Sequence, residues 1–550
     1  MTATLAALLL VAALSASAQG YTFPSHAKDG RLWRLVQAED QMLFQAGAQQ
    51  LWFSQQVDHW ASDSNATFQQ RYYQVDKFWK APNGPVILYI GGEGALEQAP
   101  AGFVHVIAQK FGAKILALEH RFYGKSIPNG DLSTTNYRYL TVQQALADLK
   151  HFKESYQKQL GAEDANQWIA IGGSYPGALS AWFRVAYPDT TVASLSSSGV
   201  VQPVYKFHQF DEQVALAAGP SCADVLRMTT AAFEKEIASG NATTVKGMFG
   251  AKDLADADFF YMIADAAAMA VQYGHKDIVC VSMVGAFERN DSLVDSFASF
   301  TIDMYGASFG SGCFYDTKCL AHDSARWGDG RSWRWQKCSQ LAYFQVAPKE
   351  KSLRAAMVDL DYHLKQCSLV FGDVVHPSEG VEEITKLYGG DHPDGHKIFF
   401  SNGGDDPWQR ASVLDTLSDD EIANLAKCDL CGHCGDLRAN PNVPEPLKKQ
   451  REQILEYLAK WMGVSDAVEF VENVVHEAVA IPHHAQDDED GAQEMAGLQL
   501  AGLHKSSPLV LIPIVVAFLA LAGVLHADVV RDAPGRMDMI RYRLAHTHEF

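Results

Sequence analysis

Several stretches of the chain are apolar without interruption and end in turn residues. They are Pro85-Val86-Ile87-Leu88-Tyr89-Ile90, Lys114-Ile115-Leu116-Ala117-Leu118, Trp168-Ile169-Ala170-Ile171 and Lys397-Ile398-Phe399-Phe400-Ser401. Runs without polar alternation predict strands covered on both faces, as in a parallel sheet. Thr141 to Gln157 instead repeats its apolar residues at helical spacing (Val142, Ala145, Leu146, Leu149, Phe152). Val192 to Gly199 follows as a further strand segment, and aromatic clusters such as Gln70-Arg71-Tyr72-Tyr73 predict early strands within 19–80. Strands alternating with helices predict an α/β fold with a mainly parallel sheet. From about residue 205 Ala-rich helical patterns take over (Ala215–Ala218, Ala264–Val271), interrupted by a Gly/Cys/Trp tract at 305–340. Residues 205–390 therefore read as a mostly helical cap inserted over the sheet. A final helix is expected near 445–462.

The two ends of the sequence read differently. Met1–Ala18 is Ala/Leu-rich and closes on Ala16-Ser17-Ala18, the pattern of a secretory signal peptide. Beyond about 475 the chain turns hydrophilic, with the acidic run Gln486-Asp487-Asp488-Glu489-Asp490 in an expected stalk. Leu509–Leu525 is uncharged and apolar over 17 residues, enough for a short membrane span. Arg531, Arg536, Arg541 and Arg543 after it place the tail on the cytoplasmic side. The expected organisation is a signal peptide (1–18), a first hydrolase part (19–204), the cap (205–390), a second hydrolase part (391–475), a stalk (476–508), a transmembrane helix (509–530) and a tail (531–550).

The chain of 550 residues is 47% hydrophobic and 20% charged, ample for a large core. A formal net charge of −20 without a basic patch argues against nucleic acid as a partner. Nine cysteines in a lumenal chain should mostly pair, and their odd number leaves one over. Asn65, Asn241 and Asn290 head glycosylation sequons.

The chemistry gathers around Gly172-Gly173-Ser174-Tyr175-Pro176-Gly177, between an apolar strand and a helical pattern. Strand, sharp turn and helix make a nucleophile elbow with Ser174 at the tip. Gly172 and Gly177 allow the helix to pass close to the strand. Pro176 departs from the usual spacing; it is tolerated in a first helical turn, and it biases Tyr175 toward an extended or bridging backbone. A serine needs a base and a group to orient that base. Asp405 and Asp406 follow the strand at 397–401, and His433 sits in the constrained loop Cys428-Asp429-Leu430-Cys431-Gly432-His433-Cys434. The order Ser174, Asp406, His433 is that of α/β-hydrolases.

Six motifs in this order resemble one family: Gly91-Gly92-Glu93-Gly94, Glu119-His120-Arg121-Phe122-Tyr123-Gly124, Gly173-Ser174-Tyr175, Trp335-Gln336-x-Cys338, Ser401-Asn402-Gly403-x-x-Asp406-Pro407-Trp408 and Gly432-His433-Cys434-x-Asp436-Leu437-Arg438. They are similar to the family of lysosomal Pro-X carboxypeptidase, dipeptidyl-peptidase 2 and thymus-specific serine protease. The resemblance runs from about 45 to about 465. It implies an α/β-hydrolase with a helical cap, and a serine peptidase that removes residues beside proline at a chain end. It implies Ser174 as nucleophile, Asp406 as orienting acid with Asp405 as competitor, and His433 as base. The oxyanion hole of such a fold would use the amide of Tyr175 and one from the Gly91–Gly94 loop, at Gly92 or Glu93.

No cofactor is expected. Zinc on Cys428, Cys431, His433 and Cys434 is the lesser reading, since the four are crowded within seven residues and cysteines pair in an oxidising lumen. Trp327, Trp333 and Trp335 divide between a pocket for a proline ring and plain core. The expected partners are peptides with proline near a terminus and a membrane; a homodimer is left open. An esterase or lipase on the same fold, and a catalytically silent surface receptor, are the competing functions.

Overall fold

The computed structural model describes residues 30–31, 48–61, 65–161, 166–307, 309–322, 328–440 and 442–464. The signal peptide, the stalk, Leu509–Leu525 and the tail lie outside the described residues. Among the described residues no helix is long and apolar enough to cross a membrane.

The uninterrupted apolar runs are strands of one sheet. In chain order they are β1 (Gln49–Gln56), β2 (Thr67–Val75), β3 (Val86–Ile90), β4 (Lys114–Leu118), β5 (Trp168–Gly173), β6 (Ala193–Ser197), β7 (Ile398–Gly403) and β8 (Glu421–Ala426). Their spatial order is β1-β2-β4-β3-β5-β6-β7-β8. From β4 to β8 all neighbours run parallel, while β2 lies antiparallel to both β1 and β4. Strand β3 shows why alternation is missing: Val86, Leu88 and Ile90 enter one core and Ile87 and Tyr89 the other. Both faces are covered, so no position is left for a polar side chain.

Helices α1 (Phe103–Phe111), α2 (Val142–Leu160) and α3 (Tyr175–Ala186) connect the first strands. Thr141 caps α2 by accepting the Gln144 amide, and Gly112 ends α1 in the left-handed conformation. Between β6 and β7 the described chain forms helices and no named strand. These are α4 (His208–Ala218), α5 (Pro220–Glu236), α6 (Ala242–Gly247), α7 (Asp256–Gln272), α8 (Lys276–Glu288), α9 (Leu293–Tyr305), α10 (Thr317–Leu320), α11 (Gly328–Gln336), α12 (Leu360–Phe371) and α13 (Pro377–Tyr388). The last helix, α14 (Glu445–Met462), returns to pack Ile454, Leu455 and Leu458 on the core that holds Ile87 and Tyr89.

All nine cysteines are described. Cys222–Cys280, Cys313–Cys319, Cys338–Cys367 and Cys428–Cys431 are disulfides, and Cys434 is buried outside any disulfide.

The close passage of α3 over β5 depends on missing Cβ atoms. A Cβ on Gly172 would lie 2.1 Å from the Pro176 carbonyl oxygen, and one on Gly177 2.7 Å from that of Ser197. Both are backbone obstacles that cannot rotate away. Gly172→Ala should therefore destabilise the protein by about 1–3 kcal/mol or more, read as a lowered thermal midpoint. An unchanged midpoint would contradict this packing.

Candidate active site

Ser174 joins β5 to α3 with φ 66° and ψ −130°, a strained conformation for a residue with a side chain. Its amide donates to Ser197 O on β6 at 2.9 Å, and its carbonyl accepts the Ala178 amide at 3.1 Å. The tip is thus fastened to a neighbouring strand on one side and starts the helix on the other. The expected departure of Tyr175 from helical backbone does not occur. Tyr175 is the first residue of α3, and the strain sits one residue earlier. Pro176 falls in the first turn, where its missing N–H costs no helical hydrogen bond.

Asp406 and His433 are brought together. His433 Nδ1 lies 2.7 Å from Asp406 Oδ2, and both residues are buried. The Trp408 amide donates to Asp406 Oδ1 at 2.9 Å, so both carboxylate oxygens are engaged. Asp405, the competing acid, is turned elsewhere. It accepts the Lys276 ammonium at 3.0 Å and the Leu430 amide at 2.8 Å. Ser174 and His433 line one cavity, and the Ser174 hydroxyl makes no hydrogen bond to the imidazole or to any other described group. Catalytic contacts of this kind commonly close only on a bound substrate.

The electrostatics of the pair are unequal. Burial alone would push the His433 imidazole down, but the Asp406 carboxylate and the Cys434 sulfur beside it hold it well above its usual range. Burial pushes the Asp405 carboxyl up, against the Lys276 ammonium that draws it down.

The loop that carries His433 is held from four directions. Its amide donates to Gln272 O at the end of α7, at 2.6 Å. The Gln272 side-chain oxygen accepts Trp408 Nε1–H at 2.9 Å, so one residue steadies both the His433 loop and the Asp406 loop. The Cys434 amide donates to Ser198 Oγ at 2.8 Å. Asp436 Oδ2 accepts the Ser401 hydroxyl at 2.8 Å, and its Oδ1 accepts that of Ser197, which ties the ends of β6 and β7 beneath the loop. From α14, Arg451 donates to the carbonyls of Asp436, Arg438, Asn440 and Gly435. Nothing in the sequence marks Gln272 or Arg451. Each acts through partners far away in the chain, and neither sits in a motif.

The cavity is floored by the loop after β3. The Gly91 amide is spent on Leu118 O at 2.9 Å, while Gly92, Glu93 and Tyr175 all line the cavity. The Tyr175 amide, at the first position of α3, has no acceptor within its helix. Trp333 and Trp408 form an aromatic wall with Tyr343, the ring centroids of Tyr343 lying 6.3 Å and 5.7 Å from theirs. Of the three tryptophans singled out above, only Trp333 is seen in the cavity wall. Trp335 stacks on Tyr137 and donates to Leu140 O, and Trp327 lies outside the described residues. The Cys428–Cys431 disulfide takes two of the four ligands that zinc would need. Asn65, Asn241 and Asn290 are all exposed.

The chain is similar to known proteins over most of its length. The sequence pattern of the family described as Serine carboxypeptidase S28 matches residues 55–454. The probable serine protease EDA2 of Arabidopsis thaliana is 37% identical over 442 residues, covering 75% of this chain and 88% of that protein. The thymus-specific serine protease of Homo sapiens is 26% identical over 448 residues, covering 75% and 87%. The lysosomal Pro-X carboxypeptidase of Mus musculus is 26% identical over 446 residues, covering 75% and 89%.

The geometry separates the two carboxylates. Asp406→Asn should lower kcat/KM by roughly 10⁴-fold, whereas Asp405→Asn, which breaks an ion pair with α8, should cost less than about tenfold. Equal losses would contradict the assignment. An imidazole held high is protonated in mildly acidic solution. kcat/KM should therefore fall as pH drops through a limb above 6.5, the ordinary histidine value, read from a pH–rate profile.

Proposed function

The chain belongs to the serine carboxypeptidase S28 family and is a serine-type peptidase, and we propose that it cleaves peptide bonds beside proline near a chain terminus through an acyl-enzyme on Ser174. The observation that carries this reading is the Asp406–His433 hydrogen bond at the wall of the cavity onto which Ser174 opens. With Nδ1–H donated to Asp406, Nε2 is left as the proton acceptor. In the proposed α/β-hydrolase, Ser174 Oγ attacks the scissile carbonyl while its proton passes to Nε2. Asp406 favours the imidazolium so formed. The oxyanion would receive the Tyr175 amide and that of Gly92 or Glu93. The imidazolium then returns its proton to the leaving amine, and water repeats the sequence on the acyl-enzyme. Trp333, Tyr343 and Trp408 offer flat apolar faces suited to a proline ring.

The compartment follows from the same chain. Four disulfides and three exposed sequon asparagines favour a lumenal or extracellular site. We propose that Met1–Ala18 directs the chain into the secretory pathway, that 205–390 is a cap over the site, and that Leu509–Leu525 anchors the enzyme with its catalytic part in the lumen of a lysosome-like compartment or at the cell surface.

A fluorophosphonate should label Ser174 in folded protein, and peptides with proline second from one terminus should be cleaved there at least about tenfold faster than alanine counterparts, as read by mass. Turnover of aryl esters with no peptide cleavage would overturn the peptidase specificity.

A further inference from the structure

A chain of hydrogen bonds, all donated in one direction, runs from the end of α11 to Tyr175, the residue after the proposed nucleophile. The Tyr123 hydroxyl donates to Gln336 Oε1, and Gln336 Nε2–H donates to the Tyr175 hydroxyl at 2.7 Å. That hydroxyl meets His120 Nε2 at 3.2 Å, and His120 Nδ1 meets Arg121 O at 2.7 Å. A carbonyl oxygen only accepts, so Nδ1 carries the proton and Nε2 accepts from Tyr175. Burial pushes the His120 imidazole down to about 4, which keeps it neutral in this role. Tyr123, Gln336, Tyr175 and His120 are all buried. Breaking one link would leave a buried polar group unpaired.

The same helix grips the loop after β3. Asp329 Oδ2 accepts the Ala95 amide at 3.0 Å, and its Oδ1 accepts the Gly124 amide at 3.1 Å. Ser332 donates to Phe122 O at 2.9 Å. Asp329, Ser332 and Gln336 stand at i, i+3 and i+7, so they share one face of α11. That face is polar because it meets the loops that leave β3 and β4 and the start of α3. Arg334, on another side of the helix, and Lys337 directly after it are buried cations that face Asp265 instead. Strands β3 and β5 pair as far as Tyr89 and Ile171. Past those residues the ladder no longer sets the spacing between Gly92 or Glu93 and Tyr175, the proposed donors to the oxyanion. Such donors must lie about 2.7–3.1 Å from the oxyanion, and a misplacement of about 1 Å costs about 10²-fold.

We infer that Gln336 and Asp329 are positioning residues that set the gap between the two oxyanion donors, with α11 as the spacer. The inference rests on the acyl-enzyme reading of Ser174 and adds what holds its oxyanion hole in shape. Gln336 acts through the Tyr175 hydroxyl. Asp329 acts through Ala95, at one end of the Gly92–Gly94 stretch, whose other end is fixed by the Gly91 amide on Leu118 O. The oxyanion forms only as the reaction proceeds. Loss of either tether should therefore appear in kcat and not in KM.

The test uses the full chain with a proline-containing peptide that wild-type enzyme cleaves, the aldehyde of its acyl part, and that acyl part as the free acid. Ser174 Oγ adds to the aldehyde carbon, the carbonyl oxygen becomes the oxyanion, and the serine proton passes to His433; the acid, a product, makes no such adduct. Gln336→Met should lower kcat by roughly 10–10²-fold and leave KM and affinity for the acid within about threefold. Affinity for the aldehyde should fall by the same factor as kcat/KM. Tyr175→Phe removes the other end of the same bond, so the double variant should be within about threefold of the slower single one. The inference is overturned if kcat of Gln336→Met matches wild type, if the loss falls on KM or on the acid, or if the two single losses multiply. Should Gln336→Met fail to fold, Asp329→Asn and Tyr175→Phe are read by the same split, and a loss confined to KM overturns the inference there too. Fluorophosphonate labelling separates the two levels. A wild type that is neither labelled on Ser174 nor cleaves peptides overturns the peptidase reading as well, whereas a labelled, active wild type beside an equally fast Gln336→Met overturns the positioning role alone.

Discussion

A carboxylate with no solvent-exposed surface must find every hydrogen bond inside the protein, and Asp406 finds its bonds from His433 Nδ1 and the Trp408 amide. That contact governs the surrounding design. It favours a proton on His433 Nδ1 and leaves Nε2 without that partner. It also demands that two loops, one after β7 and one after β8, be held in register. The sheet does the first part, because β7 and β8 are parallel neighbours with both loops at one end. The rest comes from Asp436 under the loop, Arg451 from α14 and Gln272 from α7.

The helices between β6 and β7 also contribute side chains to the loops after β7 and β8. Gln272 holds the His433 loop, Lys276 occupies Asp405, and Gln336 donates to the Tyr175 hydroxyl at 2.7 Å. Lys276 engages Asp405, so that carboxylate is paired away from the imidazole. The Cys434 side chain adds to this crowding: a Cβ on Gly173 would meet its sulfur at 2.9 Å.

Much of this architecture was legible because it rests on local rules. Uninterrupted apolar runs gave β3, β4, β5 and β7 to within a residue or two, and helical spacing gave α2. Strand β8 was missed. Its sequence, Glu421-Ile422-Ala423-Asn424-Leu425-Ala426, carries polar residues because an edge strand is covered less fully. Helix α1 was missed too, its nine residues being too short to show a clear period. The order Ser174, Asp406, His433 came from motifs, and the preference for Asp406 over Asp405 as the partner of His433 leaned on resemblance. Its physical basis is the Lys276 ion pair, 129 residues away in the chain. The buried cations at Arg334 and Lys337 were read only as part of a Trp-rich tract, since burial of a charge is invisible without the fold. The backbone at Tyr175 was misjudged, because the rule for a residue preceding proline is a bias, which the start of α3 overrides.

The account stands on convergence of three side chains at one end of the sheet, of which one contact, hydroxyl to imidazole, is open in the described structure. A crystal structure of the enzyme phosphonylated on Ser174 tests it most directly. The account predicts His433 Nε2 within hydrogen-bonding distance of Ser174 Oγ while Nδ1 stays on Asp406, with the phosphoryl oxygen on the amides of Tyr175 and of Gly92 or Glu93. An imidazole that remains out of reach of the adduct, or that turns to another carboxylate, would contradict it.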